Sequence, residues 1–149
     1  MQQYQQLIII IFAIINIIFF IKGYLETRKR KNAFKLVPYV LMIFGIFVWG
    51  DAVIISLFLA LASIFSLLIG DWILFLLIIS VFWLVRSLGE TIYFFNQQFS
   101  TINRQPPKTL PGFRFYQNHS IWFAYQIFHQ CIIVTTLITT IYLTHLWLG

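Results

Sequence analysis

GDAVIISLFLALASIFSLLIGDWILFLLIISVFWLVRSLGE, residues 50–90, contains only Asp51, Asp71, Arg86 and Glu90 as charged side chains. Asp71 stands beside Gly70 at an expected turn. The other three fall inside apolar sequence that runs from Leu36 to Phe99. A bilayer offers no water to a buried charge, so charges in such runs are rare, usually pair, and tend to mark function. The stretch reads as part of an all-α bundle of membrane-spanning helices.

Composition supports the same class. The chain of 149 residues is 60% hydrophobic, 19% aromatic and 9% charged. Soluble domains carry about a quarter charged residues, so this chain cannot cover itself with a wetted surface. Its length fits a single membrane domain, residues 1–149, with no room for a soluble domain beside it. The net charge of +6 is carried by residues that flank apolar segments. Lys22, Arg28, Lys29, Arg30, Lys31 and Lys35 follow the first segment; Arg104, Lys108 and Arg114 follow the third. Basic residues so placed record topology and meet anionic lipid headgroups, and no nucleic-acid partner is expected.

Four spans are expected, at about 5–22, 36–67, 71–98 and 120–147, joined by cytoplasmic loops at 23–35 and 99–119. The second is a problem of length. As one helix it would reach about 48 Å, against roughly 30 Å of hydrocarbon. Either it is long and tilted or kinked, or it breaks at Gly50 and gives five spans. Loop charge favours four, because five would put Arg104, Lys108 and Arg114 outside. Both termini then fall on the non-cytoplasmic side.

In the four-span reading Asp51 and Arg86 lie almost equally far from the turn near Leu68. They therefore reach the same depth, roughly 26 Å from it, and are expected as partners. Glu90, one helical turn beyond Arg86, offers a second carboxylate on the same face. Gln126 and His129 on the last segment and Asn16 on the first fall in the same half of the membrane. Asn16, Asp51, Arg86, Glu90, Gln126 and His129 thus form a candidate ion- or proton-handling cluster, with His129 as proton acceptor. The bland alternatives are an Asp–Arg pair that only fixes helix packing, and an Arg86 that snorkels to headgroups. Ala52, Ser56 and Ala60 form a stripe of small residues suited to close packing against a helix or a second subunit.

Other chemistry finds little support. His119 and His129 are too far apart on one helix to share a metal, and neither HxxxH nor HExxH occurs, so no metal or other cofactor is expected. No nucleophile–base pattern marks a catalytic residue. Cys131, the single cysteine, reads as a small buried hydrophobe. The threonines of the last segment suit packing, and Tyr24, Trp72, Trp122 and Trp147 suit an interfacial belt. The leading expectation is a transporter- or channel-like protein, or a subunit of a membrane assembly, and an oligomer. An accessory or scaffold protein bound to a membrane-protein partner is the alternative. An intramembrane enzyme acting on a lipid or quinone is third.

Overall fold

The structure is a computed structural model that describes residues 1–99, 108, 110, 112–116 and 120–149, the side chains of residues 39 and 116 excepted. Six helices follow in order: α1 (Gln3–Arg30), α2 (Tyr39–Met42), α3 (Trp49–Ile69), α4 (Trp72–Phe99), α5 (Phe113–Tyr116) and α6 (Ser120–Leu148). α1, α3, α4 and α6 are each long and apolar enough to cross a membrane. The chain is an all-α bundle and a membrane protein. Most of the second basic loop, 99–119, including Arg104, lies outside the described residues.

The second apolar segment breaks within one residue of Gly50, as the five-span alternative had it, but the part before the break forms no span of its own among the described residues. Helix begins only at Trp49, and its 21 residues make about 31 Å at 1.5 Å per residue, which matches a hydrocarbon core. The excess length, residues 36–48, doubles back as a hairpin. Leu36 bridges Val48 in antiparallel fashion, and Val37 N donates to Phe47 O (3.1 Å). The short α2 follows Pro38, and Gly45 turns the chain at φ 74°, a conformation open to glycine. Pro38 suits the residue that ushers in a helical turn, since it has no N–H to leave unsatisfied.

The chain divides into two compact units, residues 1–79 with 146–149, and residues 80–145. In the first, α1 packs on α3. Gly50 N donates to Ala33 O (2.9 Å), which brings the start of α3 to the end of α1, so the two run antiparallel. Their buried residues recur at spacings of three and four: Ile9, Ala13, Asn16 and Gly23 on α1, and Ala52, Ser56, Leu59, Ser63 and Ser66 on α3. Most are small, which lets the backbones approach closely without any hydrophobic drive from lipid. Gly23 faces Ala52 so tightly that a Cβ added to it would lie 2.6 Å from the Ala52 Cβ. Val37, Leu41, Ile46 and Trp49 form an apolar core with Ala52.

Asp71 ends the α3–α4 turn after Gly70 (φ 76°). One carboxylate oxygen accepts from Ile73 N (2.8 Å) and Leu74 N (3.1 Å), satisfying donors that the first turn of α4 leaves open. The other accepts from Trp147 Nε1 (2.8 Å). The sequence placed Asp71 at this turn; its partner Trp147 was read only as an interfacial aromatic.

In the second unit, α4 and α6 run antiparallel. Ser80 bonds the Thr140 hydroxyl (2.8 Å) and donates to Thr136 O (3.1 Å), while Gln98 Nε2, near the other end, donates to Gln126 Oε1 (2.5 Å). Phe94, Leu110, Ile121 and Trp122 close the end of this pair as an apolar cluster.

Candidate functional site

The charged residues of α4 and the histidine of α6 come together in the second unit. Arg86 and Glu90 are one helical turn apart, and Arg86 Nη2 meets Glu90 Oε1 at 2.9 Å, with 22% and 12% of their side chains exposed. Their spacing alone puts both on one face. His129 is buried at 2% exposure and stacks on Phe94, with ring centroids 5.7 Å apart and planes at 17°. Phe94 also touches Trp122 and Tyr125, so it sits opposite the middle of residues 122–129. Glu90 lies one turn back along the antiparallel pair, which brings it level with His129.

Buried polar atoms without partners among the described residues occur on the same two helices. Ser87 Oγ, Thr91 Oγ1 and Trp122 Nε1 are buried and make no hydrogen bond there. Ser87 and Thr91 belong to the same stripe of α4 as Glu90 and Phe94. Buried polar atoms in native structures nearly always find a partner, and a water or an ion is a common one. Gln126 belongs to the same helix pair through its bond from Gln98.

Asn16, Asp51 and the small-residue stripe fall in the first unit. Asn16 is fully buried, and its Nδ2 donates to Phe12 O (2.9 Å) within α1. Asp51 stands in the first turn of α3 and not, as a continuous helix over 36–67 would have it, near mid-span. Its Oδ2 accepts from Phe47 N (3.2 Å) and Val48 N (3.4 Å), so the carboxylate ties the end of the hairpin to the start of the helix. Asp51 belongs to the first unit and Arg86 to the second, and the bonds described for Asp51 are to its own helix start. Ala52, Ser56 and Ala60 are all buried in the first unit, Ala52 against Gly23. Cys131, read as a buried thiol, lies on an exposed face of α6.

Among the described residues no three metal-ligating side chains gather. The residues that sequence reasoning passed over are Phe94, the aromatic floor under His129, and Ser87 and Thr91. Their three- and four-residue spacing from Glu90 was the available signal. No known protein family, curated protein or solved structure matches the chain.

Proposed function

We propose that this is a multi-pass membrane protein that handles a proton or small ion through Arg86, Glu90 and His129, as a transporter or channel or as a subunit of such an assembly. The observation that carries this reading is the ion pair on α4 beside a buried imidazole. Helix packing does not call for ionisable groups: the hydroxyls of Ser80 and Thr140 join α4 to α6 without charge. Charge within a span is costly and is retained where it serves a purpose.

The chemistry follows from the three groups. Arg86 stays cationic throughout. A proton arriving on Glu90 cancels its half of the pair, and His129, level with it, offers a neutral imidazole as a hydrogen-bond partner. Ser87 and Thr91 offer hydroxyls to a water that links them. Four spans enclose little volume, so a solute path between subunits is the more economical arrangement, and a homo-oligomer is part of the proposal. The residues around 23–35 are assigned to the cytoplasmic side with anionic headgroups about them, and both termini to the opposite side.

One observation favours a second reading, an accessory protein. α6 is buried only at Ile121, Trp122, His129 and Leu143, is half-buried beside them, and is exposed along much of the rest of its length. Such a helix suits lipid or another membrane protein equally. An ion-flux screen of the purified protein in liposomes separates the readings. Ion handling requires a flux in wild-type vesicles that Glu90→Gln removes while the protein stays folded. No flux for any ion, or an unchanged flux in folded Glu90→Gln, leaves the accessory role as the better one.

A further inference from the structure

We infer that residues 36–48 form a re-entrant hairpin, which dips into the acyl layer and returns on the side of the membrane that carries residues 23–35. Depth is read off α1. Lys22 lies over the Trp49 ring, 5.5 Å from its centroid, which sets the mouth of the hairpin at the polar end of the first apolar run. Phe44, near its tip, meets Phe19 at 5.2 Å and Phe12 at 5.7 Å between ring centroids. Phe19 and Phe12 lie about 5 and about 15 Å deeper along α1 than Lys22. The tip therefore sits level with the exposed isoleucines of α1, Ile14, Ile17 and Ile18, which on a spanning helix face lipid. Val40 and Ile43 on the hairpin are 63% and 71% exposed and continue that surface.

Non-helical backbone survives at membrane depth only if its polar groups are satisfied within the protein. Here every N–H from Phe44 to Gly50 is satisfied. Phe44 and Ile46 donate to Leu41 O, Gly45 to Met42 O, Trp49 to Lys35 O and Gly50 to Ala33 O. Phe47 and Val48 would have no backbone acceptor and donate to Asp51. Pro38 has no N–H to satisfy.

The occupant of the exposed Val40 and Ile43 surface is the acyl region of the near leaflet, and the inference rests on the membrane location alone, independent of any ion handling. Spin labels on Val40→Cys and Ile43→Cys, each in a Cys131→Ala background and reconstituted in phospholipid vesicles, test it. Their collision rates with oxygen and with an aqueous nickel chelate are compared with those of Ile14→Cys in the span and Lys35→Cys at the mouth. Both hairpin labels should shift towards oxygen, as Ile14→Cys does. Labels that respond to the nickel chelate as Lys35→Cys does would put the hairpin in water and overturn the inference.

Discussion

The α1–α3 pair and the α4–α6 pair are both antiparallel and both built from apolar sequence, and they differ in whether polar side chains bond across from helix to helix. In the first pair side chains bond back to their own helix: Asn16 to Phe12 O, Ser63 to Leu59 O and Ser66 to Ala62 O. What remains between the helices is shape, with Gly23 against Ala52. In the second pair some side chains also bond back, as Thr136 does to Ile132 O and Thr139 to Thr135 O, but others cross from helix to helix, Ser80 to Thr136 and Thr140 and Gln98 to Gln126. The ionisable cluster lies there as well. One pair is held by fit and the other by polar contact, so each should fail under a different kind of substitution.

The largest effect is expected at the ion pair. Arg86→Ala leaves the Glu90 charge without its cation and should destabilise the protein by about 3 kcal/mol, while Arg86→Ala with Glu90→Ala should recover much of that loss. Reversible unfolding in mixed micelles provides the four corners of the cycle, and additive single effects would dissolve the pair as an energetic unit. Next comes the fit of the first pair. Gly23→Ala forces a Cβ to within 2.6 Å of Ala52. It should cost about 2 kcal/mol as overpacking. Gly89, in the second unit, has nothing within 4 Å of an added Cβ, so Gly89→Ala should leave stability unchanged or raise it by up to about 1 kcal/mol, the gain in helix propensity. Equal costs at the two glycines would erase the distinction between the pairs.

Asp51→Ala should cost about 1 kcal/mol, the usual worth of a carboxylate at a helix start, and should speed amide exchange at Phe47 and Val48 before anywhere else. Exchange that stays slow at both would show that the hairpin is held by its apolar core alone. The smallest effect is expected at Ser80→Ala, about 0.6 kcal/mol, the average for a hydrogen bond between helices in a membrane. A loss several times larger would give that single bond the weight assigned here to the ion pair.

Four helices were legible in the sequence because each is announced by a long apolar run and ended by polar residues or glycine. Asp71 was legible as a turn residue because Gly70 precedes it. Arg86 and Glu90 were legible as neighbours because a spacing of four needs no tertiary information. The hairpin was not. It is apolar throughout, so no polar break separates it from α3, and hydropathy merges the two. Gly50 marked the break, and Pro38 and Gly45 marked the hairpin, but proline and glycine also occur in kinked spanning helices. Once the segment was read as continuous, Asp51 was displaced from a helix start to mid-span, and a partner had to be sought for it. The exposed face of Cys131 was hidden for another reason: α6 is apolar all round, so its periodicity does not say which side is covered.

The division of labour between the two pairs can be tested by neutralising one carboxylate in each. Glu90→Gln and Asp51→Asn both keep size and hydrogen-bonding capacity, and both are to be measured for ion flux in liposomes beside wild type, with folding checked in the same samples. Flux lost in Glu90→Gln and kept in Asp51→Asn is the expected result, since the proposed function rests on Glu90, while Asp51 bonds the start of its own helix. Flux lost in Asp51→Asn and kept in Glu90→Gln, with both proteins folded, would contradict it.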